Sequence, residues 1–181
     1  MAINFKEKLV KIGSYTILRL TADASAELPS RGMTMVKGTI NGVPFKAVLE
    51  PDGRYLGERK PSHWFSPHKK LLADAHAAAG DTVEVSLEPS KEWIEPEIPD
   101  DVKKALKTSP KAESLWNDIT PIAHWDWIRW VRAVKTEETR QKHLEVMLDK
   151  LNKGMRRPCC FNRSLCSDPE VSHNWVLRDP E

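Results

Sequence analysis

The sequence predicts an α+β protein: a small β-barrel over residues 1–92, a helical domain over 98–154 and a short cysteine-bearing tail over 155–181. Three observations predict it. The first half is built of short runs of β-formers broken by turn residues. The periodicity changes from strand to helix after the proline- and acid-rich stretch "SKEWIEPEIPDD". All three cysteines then fall within "RRPCCFNRSLC", Arg156 to Cys166.

The elements follow in order. "NFKEKLVKI" and "YTILRLTA" read as strands separated by Gly13-Ser14. "MTMVKGTINGVPFKAVL" reads as a hairpin, because Asn41-Gly42 between two β-rich runs tolerates the positive φ of a tight turn. Pro51-Asp52-Gly53 is a second turn signal. Ser66-Pro67 offers an N-cap and first-turn proline for a helix through "HKKLLADAHAAA", with Gly80 as its stop and His76 near its buried face. In "GDTVEVSLEP" Val83, Val85 and Leu87 alternate with polar residues, the pattern of a half-buried strand. Several short strands and one helix in this span suggest a small barrel.

Four helices follow the linker. The first is "PDDVKKALKTS", Ser109-Pro110 opens the second and Thr120-Pro121 opens the third. In the third, Trp127, Trp130, Val131 and Val134 share one face. Thr136 caps the fourth, Glu137 and Glu138 suit its first turn, and Leu144, Met147, Leu148 and Leu151 form its stripe. Arg140 lies on that striped face. There it must snorkel, pair with a carboxylate as a structural ion pair, or face a ligand in a groove.

Composition bounds the function. The chain carries 28 Lys and Arg against 26 Asp and Glu, too even for a dedicated nucleic-acid binder. It has no long apolar run and no signal-peptide pattern at its start, so membrane insertion is not expected. Three clustered cysteines do not form a secreted disulfide framework, and a reducing cytoplasm is the expected compartment. There is no G-x-S-x-G elbow, P-loop or G-x-G-x-x-G. His63, His68 and His76 near Ser62, Ser66 and Asp74 are weak grounds for a hydrolytic centre.

The tail admits several readings. Cys159, Cys160, Cys166 and His173 are zinc-type ligands, but adjacent cysteines do not fit the usual knuckle, so no metal is assigned. Arg156, Arg157 and Arg163 could favour a thiolate at Cys159, Cys160 or Cys166, making these the candidate reactive thiols. "CCF" also reads as a packing unit, and the arginines as an anion-binding loop or as favourable charges after a helix.

Two stretches resemble known families. "RGMTMVKGTINGVPFKAVLEPDG", "HW" and "AAGDTVEVSLEP" resemble the barrel domain of unknown function 1905. "IPDDVKKAL", "WIRWVRAVK" and "ETRQKHLEVMLDKLNKGMRRPCCF" resemble the YdeI/OmpD-associated, or bacteriocin-protection, family of bacteria. The first resemblance implies an AbrB-like double-split barrel, with Gly80 and Asp81 entering a strand. Neither supplies catalytic residues. AbrB-like proteins bind DNA, but a first half without net positive charge does not support that here.

The expected function is a non-enzymatic ligand- or partner-binding, stress-protection module needing no cofactor. Its candidate binding residues are Arg140, Arg156, Arg157 and Trp127, and its partner is a small molecule or a protein. Thiol- or metal-dependent chemistry at the cysteines is the alternative, and nucleic-acid binding by the barrel the second alternative.

Overall fold

The computed structural model describes residues 1–54, 60–159 and 161–180. The chain is of mixed α and β structure and divides into two compact units. One holds Met1–Ile94, Arg163–Cys166 and Glu170–Glu181, and the other Glu95–Asn162 and Ser167–Pro169.

The first unit is a curled antiparallel sheet. Its strands are β1 (Ile3–Lys8), β2 (Val10–Ile12), β3 (Tyr15–Arg19), β4 (Thr34–Ile40), β5 (Val43–Pro51), β6 (His63–Phe65) and β7 (Thr82–Pro89). They lie in the order β1-β7-β4-β5-β6-β3-β2. β1 and β2 sit at opposite ends of this order, yet only Leu9 separates them in the chain. The sheet must therefore curl until its ends meet at one residue. Leu9 is fully buried at that point, and its backbone exchanges hydrogen bonds with Gly80 and Asp81.

The elements arise from local chemistry. Ile40 pairs with Val43 across a two-residue turn, and Asn41 (φ 48°) and Gly42 (φ 81°) adopt the left-handed conformation that such a turn needs. Asn41 also fixes its surroundings: its amide donates to Ala75 O, and its side-chain oxygen accepts from Glu84 N. Along β7, Val83, Val85 and Leu87 point into a core shared with Leu18, Val36 and Leu49.

The helix predicted from Ser66 is shorter than its sequence signals. α2 spans Lys69–Asp74 with His68 at the N-cap, because the Ser66 hydroxyl donates to Thr16 O on β3. It ends early because His76 takes φ 50°, and that ring is exposed rather than on a buried face. α1 (Ala22–Ala26), capped by the Thr21 hydroxyl, and β6 were not legible in the sequence.

The last segment of this unit forms a small hairpin, β8 (Ser172–His173) with β9 (Val176–Leu177). Cys166, Val171 and Leu177 pack with Ile12, Ile17 and Trp64 in a second apolar cluster. Gly53 (φ 78°) allows the approach: a Cβ there would lie 2.0 Å from Trp175 O, which accepts from Cys166 N at 2.9 Å. Trp175 itself takes φ 65° and keeps its side chain exposed.

The second unit has four helices: α3 (Asp100–Lys107), α4 (Pro110–Asp118), α5 (Pro121–Arg132) and α6 (Glu137–Asn152). Thr120 and Thr136 accept from Ala123 N and Thr139 N as N-caps. Ser109 instead donates to Asn152 Oδ1 at the end of α6. The core joins Val102, Leu106, Trp116, Trp127, Val131, Leu144, Met147 and Leu151. Among the described residues, no helix is long and apolar enough to cross a membrane.

Candidate functional site: the basic edge after the last helix

α5 carries unusual charge for a core helix. Asp126, Trp127 and Arg129 are each 0 % exposed. Burying such charges requires partners that satisfy them. The segment after α6 supplies several. Arg157 donates to Asp126 Oδ2 from Nε (2.7 Å) and Nη2 (2.5 Å). Arg156 donates from Nη1 to Asp118 Oδ2 (2.9 Å) and from Nη2 to Asp118 O (3.1 Å), at the end of α4. The Trp127 indole N–H donates to Arg156 O at 3.0 Å, so the buried tryptophan positions the backbone of the pair.

The Arg129 guanidinium lies 5.3 Å from the centre of the Phe161 ring, a cation–π contact, and Arg132 reaches Ser167 Oγ. His124 is held between the Glu95 carboxylate and Trp116 O, both at 2.7 Å. At the rim each arginine reaches solvent beside the carboxylate it pairs with. The Arg156 and Arg157 side chains remain 51 % and 44 % exposed.

Of the residues singled out from sequence, Arg156, Arg157 and Trp127 come together here. Arg140 is engaged at another place, bidentate to Asp101 (2.5 and 3.0 Å), where it ties α6 to the start of α3. That contact holds the Asp101 carboxyl below the usual carboxylate range, first through the hydrogen bond from Arg140.

The cysteines are dispersed. Cys159 is exposed in the helical unit, with Lys150 Nζ 3.0 Å from its sulfur. Cys166 is buried in the curled-sheet unit. Cys160 lies outside the described residues. His173 is exposed on β8. Among the described residues, no group of three or more His, Cys, Asp or Glu is placed to hold a metal ion.

One chemically suggestive pair escaped the sequence. Ser25 Oγ lies 2.7 Å from His63 Nδ1, and His63 Nε2 lies 2.8 Å from Gly32 O. The carbonyl can only accept, so Nε2 carries the proton and Nδ1 accepts from the Ser25 hydroxyl. Burial, first of all, lowers the His63 pKa to about 4. Ser25 is 0 % and His63 1 % exposed, which seals the pair from any substrate and makes it a tie between α1 and β6. His63 thus pairs with Ser25 and not with Ser62, whose hydroxyl donates to Leu20 O. The short strand β6 and helix α1, neither with a periodic signature, are why this pairing was missed.

Comparison with known proteins agrees with this two-part construction. Residues 95–154 match the family described as bacteriocin-protection, YdeI or OmpD-associated. Residues 5–87 match a domain of unknown function, DUF1905. No curated protein matches the chain. The chain is therefore similar, over those two stretches in tandem, to the DUF1905 and the YdeI/OmpD-associated families.

Proposed function

We propose that the protein is a non-enzymatic binding module of the bacterial cytoplasm that protects against stress by holding an anionic partner at the Arg156–Arg157 edge. One observation carries the reading. Both guanidinium groups are about half exposed, yet each is oriented by a carboxylate, Arg157 by the buried Asp126 and Arg156 by the exposed Asp118, and Trp127 fixes the backbone between them. An edge organised in advance loses less freedom on binding than two mobile side chains would. Arginine forks suit the carboxylates of an acidic protein segment. The family description over 95–154, bacteriocin protection, is in keeping with a protective rather than catalytic role.

In this reading the curled sheet is an AbrB-like double-split barrel, supported by Gly80-Asp81 leading into β7, and it serves as a scaffold. The test uses a fluorescent polyglutamate peptide and anisotropy at low and high salt. The full chain should bind at low salt and release at high salt. R156Q/R157Q should bind about tenfold more weakly. Equal binding by the double variant would remove the reading.

A further inference from the structure

A second cationic feature lies in the curled-sheet unit. A recess of about 180 Å³ opens between β1, β2 and β3 and the residues that follow Leu177. Apolar side chains of β2 and β3 line its inner part, and the charged ones at its walls are Lys8, Arg19, Arg54, Arg178, Glu7 and Asp179. Cations outnumber carboxylates there.

Arg54 is the informative residue. It is 8 % exposed, and its Nη2 donates to Leu177 O (3.0 Å) and to Asp179 Oδ1 (2.9 Å). Its Nη1 is buried and has no hydrogen-bond partner among the described residues. A structural role in pinning the last segment accounts for Nη2 alone. Buried guanidinium nitrogens are rarely left without an acceptor, so this one has room for a bound anion, ligand or water. The neighbouring carboxylates do not fill the gap. Asp52 accepts from Arg19, and Asp179 accepts from Nη2 of Arg54 and is 63 % exposed.

We infer that this recess binds a phosphate group, free or as the end of a small phosphomonoester, on Arg54 with Arg19, Arg178 and Lys8 around it. Size and charge select this class. Pockets for drug-sized ligands run from roughly 300 Å³ upward, so 180 Å³ suits a compact group. Planar guanidinium forks match the oxygens of a tetrahedral anion. The bound group supplies the acceptor that Arg54 Nη1 lacks, and it bridges the sheet to the segment that Arg54 pins. The inference is independent of the Arg156–Arg157 edge, which lies in the other unit.

The experiment titrates the full chain with inorganic phosphate, and separately with glycerol phosphate, at constant ionic strength balanced with chloride. Calorimetry and thermal unfolding are the readouts. Saturable binding with a dissociation constant of about 1 mM or tighter is expected, with a rise of several °C in the unfolding midpoint at saturation. Tighter binding of the ester places it as the physiological form, and tighter binding of inorganic phosphate places the free ion. R54K, which keeps the charge and loses the fork, should bind at least about tenfold more weakly. K8E alters only an exposed rim position and should also weaken binding, which decides the matter should R54K not fold. R156Q/R157Q should bind phosphate as the natural chain does, so loss of peptide binding there leaves this site untouched. Absence of saturable binding, or phosphate affinity unchanged in a folded K8E, overturns the inference.

Discussion

Asp52 in the curled sheet and Asp126 on α5 are both fully buried carboxylates, yet they are held by different kinds of donor. Asp52 accepts from the backbone N–H of Arg54 and of Ser62 on Oδ1, and from Nε and Nη2 of Arg19 on Oδ2. It therefore joins Arg54 and Ser62, two points separated in the chain, from the interior. Asp126 faces Arg157, whose side chain is 44 % exposed. The backbone donors of Asp52 cannot move without unfolding the turn. Arg157 pairs with Asp126 on one side and meets water on the other. A buried charge held by backbone is part of the fold, whereas one held at an accessible rim remains open to exchange with an outside anion.

The sharpest way to break this comparison is to remove each carboxylate. D52A strands two buried N–H groups and the Arg19 guanidinium, and should cost about 3–5 kcal/mol. D126A frees a guanidinium that water can reach, and should cost about 1–3 kcal/mol. Denaturant unfolding of the two variants checks the order. Equal costs, or a larger one for D126A, would place Asp126 among the fold-defining groups.

The two units also differ in how they respond to acid. Burial holds the His63 ring neutral in the sheet unit, lowering its pKa from 6.5 to about 4, against a smaller opposing pull from the Gly32 carbonyl and from Asp52; Arg31 acts with burial. The unfolded chain takes up a proton near pH 6.5, and the folded one only near pH 4. The contribution is therefore complete above pH 6.5 and is lost as pH falls from there to about 4, by up to ~3 kcal/mol. H63Q should be less stable at pH 7 and should lack this part of the slope. Stability followed by denaturant unfolding between pH 7 and pH 4 separates the two chains, and parallel curves would show that His63 is not its source.

Much of the helical unit was legible because its signals are local. Ser109-Pro110, Thr120-Pro121 and Thr136 mark three starts, and the Trp127/Val131 and Leu144/Met147/Leu151 spacings mark buried faces. The Asn41-Gly42 turn was legible for the same reason. What could not be seen depends on residues far apart in the chain. Arg156 meets Asp118 across 38 positions and Arg157 meets Asp126 across 31, so no periodicity pairs them. β6 has three residues, all buried, and so shows no alternation. The cluster of Cys166, Val171 and Leu177 with Ile12 and Ile17 joins the two ends of the chain through apolar residues too sparse to form a pattern. Nothing local in the sequence marks Arg54; its burial and its contacts with Leu177 and Asp179, across 123 and 125 positions, appear only in the fold.

The smallest expected effect tests Arg140, the one predicted binding residue that stands apart from the basic edge. Its bidentate contact with Asp101 is partly exposed, with 23 % and 34 % of the two side chains accessible. Water screens such a pair, so R140Q should cost no more than about 1 kcal/mol at pH 7. The sign of its pH dependence is fixed by the carboxylate. Asp101 titrates below its ordinary value when folded, first through the hydrogen bond from Arg140. The contribution is then present above the unfolded pKa, near pH 4, and disappears as pH falls through the lower folded value. The natural chain and R140Q should therefore converge in stability as pH falls below the ordinary carboxylate range and differ at neutral pH. R140Q should also bind the polyglutamate peptide as the natural chain does. A clear loss of peptide binding would move Arg140 from a tie between α3 and α6 to the binding surface, and the edge would then extend beyond Arg156 and Arg157.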